Sequence, residues 1–369
     1  MKIVIVTCFS ADHRIKYIIE QMKKEGHTLY VLTSDFNHTE KEKKKENNKD
    51  YIQINTIKYR KNISFNRIYS HYKFSKDVVK KINEIKPDLI YTMIPPNFLA
   101  HYIMKYKKRN DVKVIFDIID LWPETLPIDN KKKKILNLPL KVWKSLREKN
   151  IVKADYIITE CKLYNKYINK NVKKIKTMYL ADEYIGTKRY DSNDLKLELV
   201  YLGTINHIID IELIIKLLKK IQERKKVKIN IIGDGEKKEE LLNKLEQNNI
   251  EYKFYGKIFD DNKKNEIFSN CKYGIHIMKD SSCVGLTMKS IEYFKFGLPI
   301  LNNIKEDSKK IVEKYEVGFN ISEKNIDNQI SKIINANEEE LKKNVENMYK
   351  VEFEPKVLKE KIKQIMRCI

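Results

Sequence analysis

Short apolar runs alternate with helix-like segments along most of this chain, and the alternation limits the folds open to it. The first run, 2–7, leads into a polar loop, a helical period over 15–24 and a second apolar run over 28–33. This order is the beginning of a doubly wound parallel sheet. The same order starts again with the run 197–202. The sequence therefore predicts an α/β chain with two Rossmann-like domains.

The stretch 182–194 separates the two predicted domains. It is polar, contains Gly186 and has no apolar period, which is typical of a linker. A length of 369 residues suits about two domains of ordinary size. We therefore predict a first domain over residues 1–185, a second over 195–350 and a last helix over 351–369. The whole tail from 308 onward is predicted to be helical.

The net charge does not identify a partner by itself. The 74 basic and 51 acidic residues give +23, which would suit nucleic acid or an anionic membrane. However, Lys, Asn and Ile are abundant throughout, and no zinc finger, RNP motif or basic-region heptad is present. We therefore expect no nucleic-acid partner. The five cysteines have no paired spacing, so neither a disulfide framework nor a metal site is expected.

The sequence leaves two interpretations of membrane contact open. No apolar stretch is long enough to span a bilayer, and the run 1–6 is too short for a signal peptide. We therefore expect a cytoplasmic protein. The segment 131–147 combines four consecutive lysines, 131–134, with Trp143 and large apolar residues, which suits the inner face of a membrane. A core-facing helix behind a solvated lysine loop explains the same pattern.

A cluster of carboxylates and an indole follows one predicted strand of the first domain. The strand 112–116 leads into Asp117, Asp120, Trp122 and Glu124, at the edge where open parallel sheets bind ligands. Two carboxylates three residues apart can hold sugar hydroxyls, and an indole can cover a sugar face. A capped turn with a packed tryptophan is an equally good interpretation.

The loop after the first strand lacks one common binding motif. It carries His13 and Arg14 but no G-x-G-x-x-G, which argues against a dinucleotide-binding turn.

The segment 285–300 is predicted to form a loop, a short helix and a strand. Thr287 is a candidate N-cap, and Gly297 suits the left-handed residue that closes a helix. Lys289 at a helix N-terminus suits a phosphate, and Glu292 one turn later suits a ribose diol. On spacing alone, an amphipathic helix with a solvated charge pair is the simpler interpretation. Three apolar residues recur at helical spacing and are predicted to face a core: Met288, Ile291 and Phe294.

Both segments resemble a known family. The second fits the run P-x-K-x-x-E-Y-x-x-x-G-x-P-(V/I) at Lys289, Glu292, Tyr293, Gly297, Pro299 and Ile300. This run is similar to the donor-site helix of retaining GT-B glycosyltransferases of family 4. The sequence Asp-x-x-Asp-Leu-Trp-Pro-Glu at 117–124 resembles the corresponding segment of bacterial polysaccharide glycosyltransferases of that family. The chain departs from the family at two positions, where Val284 replaces a first Glu and Thr204 replaces an Arg.

The resemblance implies a GT-B fold whose terminal helix crosses back onto the first domain. It implies retaining, metal-independent transfer of a sugar from a nucleotide sugar, with a UDP-sugar favoured and no cofactor. The acceptor implied is a glycan or a polyprenyl-diphosphate-linked sugar in the biosynthesis of a capsule, an exopolysaccharide or an O-antigen. The implied catalytic residues are Asp117, Asp120 and Lys289. The implied donor-binding residues are Gly203, Thr204, Gly233, Gly256, Lys257, Ile258, Gly285, Leu286, Thr287, Met288 and Glu292. The implied acceptor-binding residues are His13, Arg14, Trp122 and Glu124.

Two other functions remain open at this point. A GT-B sugar-nucleotide epimerase would need no acceptor, and therefore no Asp-Leu-Trp-Pro-Glu segment. A non-catalytic sugar-nucleotide-binding partner subunit is suggested by the two departures, Val284 and Thr204.

Overall fold

The chain folds into two compact units. The computed structural model describes residues 1–9, 13–38, 40–43, 51–61, 64–126, 136–168, 171–172, 174–187 and 196–369. Unit 1 comprises Met1–Ala181 and Pro355–Ile369, and unit 2 comprises Asp182–Glu354. Unit 1 first ends four residues before the predicted 185, whereas unit 2 begins thirteen residues before the predicted 195, so the start of the predicted linker belongs to unit 2. Unit 1 is thus interrupted along the chain by unit 2.

Unit 1 is built on a parallel sheet. Its strands are β1 (Lys2–Thr7), β2 (Thr28–Ser34), β3 (Phe36–Asn37), β4 (Glu42–Lys43), β5 (Tyr51–Ile54), β6 (Leu89–Ile94), β7 (Lys113–Ile118), β8 (Tyr156–Thr159) and β9 (Ile175–Thr177). Seven of them form the order β5-β2-β1-β6-β7-β8-β9, while β3 and β4 form a separate antiparallel pair. Strand β7 extends two residues beyond the predicted end at 116, so Asp117 lies within the strand and not after it.

Unit 2 repeats the architecture on a second parallel sheet. Its strands are β10 (Lys196–Leu202), β11 (Lys226–Ile232), β12 (Glu251–Gly256), β13 (Tyr273–His276), β14 (Ile300–Asn302) and β15 (Gly318–Asn320). They form the order β12-β11-β10-β13-β14-β15. Strand β15 corrects the prediction of an all-helical tail. Its glycine permits the close pairing, because a Cβ on Gly318 would meet the carbonyl oxygen of Ile300 at 2.0 Å.

Helices connect the strands of both sheets. In chain order they are α1 (His13–Lys24), α2 (Phe65–Ile85), α3 (Asn97–Lys107), α4 (Asn137–Ile151), α5 (Lys162–Tyr167), α6 (Ile211–Gln222), α7 (Lys238–Gln247), α8 (Asp261–Ser269), α9 (Met288–Lys295), α10 (Asp307–Tyr315), α11 (Ile326–Asn335), α12 (Glu338–Glu352) and α13 (Pro355–Met366). Among the described residues, none of these helices is both long and apolar enough to cross a membrane.

The terminal helix α13 belongs to the core of unit 1. It packs against α1, and its buried residues Leu358, Ile362 and Ile365 join the cluster that contains Ile15 and Ile18. Helices α2, α3 and α4 pack against one another in sequence. Because parallel strands are joined by right-handed crossovers, these three helices lie on the sheet face opposite α1 and α13. Unit 1 therefore has helices on both faces of its sheet.

Candidate functional site

The N-terminus of α9 is fixed by its own side chains. Thr287 Oγ1 accepts a hydrogen bond from the backbone N of Ser290 at 3.1 Å, and Ser290 Oγ accepts one from the backbone N of Thr287 at 3.3 Å. The predicted N-cap is therefore confirmed. The preceding loop is held at Gly285, whose carbonyl accepts from Ser308 N at 2.9 Å and Ser308 Oγ at 2.8 Å. The first-turn amides of Met288 and Lys289 have no helical acceptor, so they are available to an anion.

A buried histidine supports this cap. His276 Nε2 lies 2.7 Å from Thr287 Oγ1, and its Nδ1 lies 3.0 Å from Asn302 Oδ1. The Asn302 oxygen can only accept, so Nδ1 carries the proton and the Thr287 hydroxyl donates to Nε2. Burial lowers the pKa of His276 to about 3, with a contribution from the Lys289 charge. His276 is thus a neutral structural histidine.

Three glycines bring the loops after β10 and β11 into backbone contact. Gly203 N donates to Ile232 O at 2.8 Å. A Cβ on Gly233 would lie 2.0 Å from the carbonyl oxygen of Gly203, and one on Gly235 would lie 2.3 Å from that of Ile205. No side chain fits between these loops, so the backbone itself forms this part of the surface.

Lys289 lies directly over the first of these glycines. A Cβ added to Gly203 would meet Lys289 Cε at 2.4 Å. The Nζ atom donates to Tyr201 OH at 2.9 Å. Within the described residues, no carboxylate lies within ion-pair distance of it, and burial lowers the pKa of Lys289 to about 8. An anion bound here would meet a cation that no described carboxylate neutralises.

Tyr293 fixes α9 on the sheet. Its hydroxyl accepts from Leu202 N at 2.7 Å and lies 3.2 Å from the carbonyl oxygen of Ile275. Its ring occupies the space over Gly274, where a Cβ would come within 2.6 Å of the ring. The tyrosine of the sequence motif is therefore a structural residue that sets the position of the helix carrying Lys289.

Glu292 belongs to an ion network. Its Oε1 accepts a hydrogen bond from Lys264 Nζ, which also lies 2.8 Å from Asp261 Oδ1. Lys295 Nζ lies 2.8 Å from both Asp261 Oδ2 and Asp182 Oδ2. The sequence predicts that the Glu292 carboxylate is available to a ligand. In the structure, one of its two oxygens is bound by Lys264. The other oxygen remains available for a hydroxyl group.

The predicted core face of α9 is wrong at one position. Ile291 and Phe294 are buried, but the Met288 side chain is 64% exposed. Met288 is the first residue of α9, directly after the N-cap Thr287. Leu286 is buried in the loop before the cap.

The residues predicted to hold a base follow β12. Gly256 closes the strand, and its carbonyl accepts from Gly233 N at 2.7 Å. Lys257 is exposed, as is Thr204 in the loop after β10. Ile258 lines a polar cavity of about 400 Å³ together with residues of β10, β11, β12 and α8. Gly256 and Thr204 thus lie at the same sheet end as the glycine loops, whereas the cavity that Ile258 lines extends along the strands beside α8.

In unit 1, Arg14, predicted to bind the acceptor, and Asp117, predicted to be catalytic, both lie in the core. Arg14 NH2 is 2.9 Å from Asp117 Oδ1, and both side chains are fully buried. Tyr91 OH donates to Asp117 Oδ2. Burial raises the pKa of the Asp117 carboxyl, although Arg14 opposes this shift. In this arrangement neither Arg14 nor Asp117 reaches a surface where an acceptor could touch it.

The other predicted residues of unit 1 lie in the turn after β7. Asp120 accepts a hydrogen bond from Thr125 Oγ1, and burial raises the pKa of its carboxyl. Glu124 is held by Arg147 at 2.8 Å and by Lys144 at 2.9 Å, which ties it to α4. His13 begins α1, and its side chain lies outside the part of the structure described.

A buried aromatic and basic cluster beside Trp122 was not predicted. The Arg67 guanidinium lies 4.2 Å from the centre of the Trp122 ring, and the His71 ring stacks on the same indole at 5.7 Å. Neither ring nitrogen of His71 has a hydrogen-bond partner among the described residues. His38 Nδ1 lies 2.7 Å from Tyr59 OH beside them. Burial lowers the pKa of His71 well below its usual value, so the ring is neutral at pH 7.

Comparison with known proteins places these features in a known fold. Residues 187–352, which lie within unit 2 and make up somewhat less than half of the chain, match the family model described as Glycosyl transferases group 1. No curated protein sequence matches the chain.

Several solved structures are similar over almost the entire chain. Sucrose-phosphate synthase from Thermosynechococcus elongatus has a TM-score of 0.72 at 12% identity, covering 100% of this chain and 98% of that one. HepE from Anabaena in complex with UDP has a TM-score of 0.68 at 13% identity, covering 100% of both chains. The lipopolysaccharide outer core galactosyltransferase WaaB has a TM-score of 0.64 at 14% identity, covering 99% of both chains. These likenesses confirm the predicted GT-B fold with its two Rossmann-like domains.

Proposed function

We propose that this chain is a glycosyltransferase that transfers a sugar from a nucleotide-sugar donor to an acceptor hydroxyl. The observation that carries the proposal is Lys289, a partly buried cation with no described carboxylate partner, at the capped N-terminus of α9 and over the Gly203 loop. A nucleoside diphosphate supplies the anion that such a site requires. The match of residues 187–352 to Glycosyl transferases group 1 supports the same function.

The donor is assigned to unit 2, with a UDP-sugar favoured. HepE, a similar structure, was solved with UDP and with UDP-glucose, which supports this choice of nucleotide. We assign the diphosphate to Lys289, to the first-turn amides of α9 and to the Gly203 loop. The ribose is assigned to the oxygen of Glu292 that Lys264 leaves unused. The base is assigned to the backbone of residues 256–258.

The chemical step is proposed to retain configuration without a metal. The bond between the anomeric carbon and the diphosphate breaks while the acceptor oxygen bonds to the same face of the sugar. The acceptor proton passes to a phosphate oxygen of the departing nucleotide. Lys289 stabilises the charge that develops on that diphosphate, which is the kind of fixed electrostatic contribution that dominates many enzymes.

Unit 1 is assigned the acceptor, a glycan or a polyprenyl-diphosphate-linked sugar of a bacterial surface polysaccharide, in the cytoplasm. Asp120 and the edge of the Trp122 cluster lie at the carboxyl end of its parallel sheet, where such sheets bind ligands. His71 is buried against Trp122, so it is given a role in positioning that indole. Arg14 and Asp117 are given a supporting role beneath this surface.

A panel of nucleotide sugars, each incubated with and without acceptor oligosaccharides, tests the function. A transferase turns over its donor only with an acceptor, an epimerase converts the donor alone, and a non-catalytic binder does neither. Thermal stabilisation by UDP and UDP-sugars should accompany turnover, since a bound ligand raises the melting temperature by mass action. Lys289→Met should reduce the stabilisation, whereas Lys324→Met, which changes an exposed lysine of the same unit, should keep it. A wild-type chain that no nucleotide sugar stabilises would contradict the proposal.

A further inference from the structure

Exposed apolar side chains are concentrated on two helices of unit 1. Five of the eleven large apolar residues that are exposed in the described part of the chain lie there. They are Phe65 (90% exposed), Ile68 (39%) and Tyr69 (56%) on α2, and Leu138 (74%) and Val142 (57%) on α4. Single exposed apolar residues are ordinary, but a cluster of them marks an interaction surface.

These residues share one end of one helical layer. Phe65, Ile68 and Tyr69 follow the spacing of a single helix stripe, and Tyr69 stacks on Tyr72 at 6.1 Å. Tyr72 in turn meets Phe98 of α3 at 5.7 Å, so the aromatic surface passes from α2 to α3. Helix α3 packs against α4. All three helices begin at the carboxyl end of the sheet, and the exposed residues lie in the first two turns of α2 and α4.

The same surface is strongly basic. The sequence from 57 to 76 contains six cations and no carboxylate. The sequence from 136 to 147, which includes the first part of α4, also contains no carboxylate. Five of the cations are exposed and make no ion pair within the described part of the chain: Lys58, Arg60, Lys61, Lys76 and Lys141. We call this surface, with the five exposed apolar residues above, the aromatic-basic face.

We propose that the aromatic-basic face docks unit 1 on an anionic lipid bilayer. Tyrosine and phenylalanine among apolar residues suit the boundary between headgroups and acyl chains, and unpaired lysines suit anionic headgroups. His71, which faces Trp122, lies on α2 itself, so docking would hold the carboxyl end of the sheet beside the headgroups. The proposal goes beyond sugar transfer, because it requires neither nucleotide nor acceptor.

The predicted membrane segment, 131–147, lies partly within this face, through Leu138, Lys141 and Val142. Lysines 131–134 lie outside the described residues. Trp143 packs against Trp122 at 5.9 Å and is only partly exposed, which agrees with the alternative of a core-facing side chain. The neighbours of Trp143 on the outward side, Leu138 and Val142, carry the exposed apolar surface of α4.

Vesicle flotation without nucleotide tests the proposal. The wild-type chain should float with vesicles of phosphatidylcholine and phosphatidylglycerol, and should be released by high salt because surface attraction is screened. It should bind pure phosphatidylcholine vesicles at least tenfold more weakly. Phe65→Ser with Tyr69→Ser, and separately Leu138→Ser with Val142→Ser, should each weaken binding about tenfold or more. Lys76→Gln with Lys141→Gln should weaken it about tenfold.

Matched control variants distinguish the loss of the aromatic-basic face from a general disturbance of folding. Val351→Ser removes an apolar side chain that is 56% exposed in unit 2, and Lys324→Gln removes an exposed lysine there. Both should bind anionic vesicles as the wild type does, and circular dichroism should be the same for all variants. Equal binding to both vesicle types, wild-type binding by the serine variants, or retention by RNA in place of vesicles would overturn the proposal. Because no nucleotide is present, failure of the proposed transferase activity would not change these results.

Discussion

Lys289 is the residue whose proposed role can be tested most directly. Its ammonium group has no described counter-charge, and burial lowers its pKa from 10.5 to about 8. Below pH 8 the side chain is charged and attracts a diphosphate. As the pH rises through 8 the free protein loses this proton, so affinity for UDP should fall. The bound diphosphate opposes this loss, because a nearby negative charge favours the protonated form.

We therefore expect Lys289→Met to bind UDP about 10- to 100-fold more weakly at pH 7, since a charge-assisted hydrogen bond contributes about 1.5–3 kcal/mol. The decline in affinity above pH 8 should disappear in this variant. Isothermal titration calorimetry between pH 6.5 and 9.5 measures both effects. An unchanged pH profile in Lys289→Met would assign the titration to another group.

Glu292 requires a more careful experiment than its sequence motif suggests. We expect Glu292→Ala to lower UDP affinity by about one to two orders of magnitude, because the ribose hydroxyls lose a charged acceptor. The same change also removes a partner of Lys264. Asp261→Asn disturbs the same lysine without touching the assigned ribose oxygen, so it should leave UDP affinity nearly unchanged. Equal losses in the two variants would show that the network, and not a ribose contact, matters.

Val284 stands where the family motif has a carboxylate, eight residues before Glu292. We predict that Val284→Glu does not increase turnover with the native donor, because the donor sugar is held by other groups, such as loop amides or Asp280. Steady-state kinetics with the best donor of the panel measures this. A clear gain in kcat/KM would identify the site as a weakened form of the usual one.

The residues that sequence reasoning could find are those whose chemistry depends on local spacing. The cap at Thr287 and the position of Lys289 depend on neighbours within three residues, so the pattern predicts them. The contact between Glu292 and Lys264 joins positions 28 apart on two helices, and no local pattern contains it. Arg67 and His71 are four apart in the sequence, which is the only local signal that the sequence offers for that cluster.

At the scale of elements, the loop after β10 and helix α9 act together. The Lys289 side chain occupies the space that a side chain at position 203 would fill. The missing side chain at position 203 is therefore as much a part of the site as the lysine. The sequence predicts a glycine loop and a helix separately, but the crossing of the lysine over the glycine depends on how α9 packs through Tyr293.

Gly203→Ala tests this arrangement. The added Cβ would lie 2.4 Å from Lys289 Cε, so the lysine must leave its position. We expect UDP affinity to fall at least tenfold. Gly26→Ala is the matched control, since Gly26 also has a positive φ, +79°, but its Cβ would meet nothing within 4 Å. Both variants should lose stability from backbone strain in thermal unfolding, more at Gly203 with its φ of +116° than at Gly26, and only Gly203→Ala should lose affinity.

Strand lengths were less predictable than strand identities. Strand β7 extends to Ile118 because residues 117 and 118 pair with β6 and β8, which a local apolar period cannot reveal. That extension moves Asp117 from an expected loop into a buried pair with Arg14. Strand β15 has only three residues within a charged tail. It is a strand because these residues pair with β14, and no local pattern shows that pairing.

At the scale of the whole molecule, unit 1 depends on residues from both ends of the chain. Leu358, Ile362 and Ile365 of α13 are almost completely buried in its core. We predict that Leu358→Ala and Ile362→Ala each destabilise unit 1 by about 2–5 kcal/mol, as is usual for such core truncations. Lys356→Ala on the exposed side of the same helix should have little effect.

Differential scanning calorimetry with and without UDP distinguishes the two units in these variants. If UDP binds unit 2, the unfolding transition whose temperature UDP raises belongs to unit 2. In the variants this transition should have the same temperature as in the wild type, while the temperature of the other transition should be lower. A fall in the UDP-dependent transition alone would contradict the placement of α13 in the core of unit 1.

The interrupted order of unit 1 also has a consequence for synthesis on the ribosome. Unit 2 is continuous in sequence, so all of its residues have been made once residue 354 has been added. Unit 1 starts first but lacks α13 until residue 366 has been added, and the apolar surface of α1 that α13 covers stays open meanwhile. Helix α13 is thus made after all of unit 2, and a chain that lacks it exposes apolar surface of unit 1 that favours aggregation.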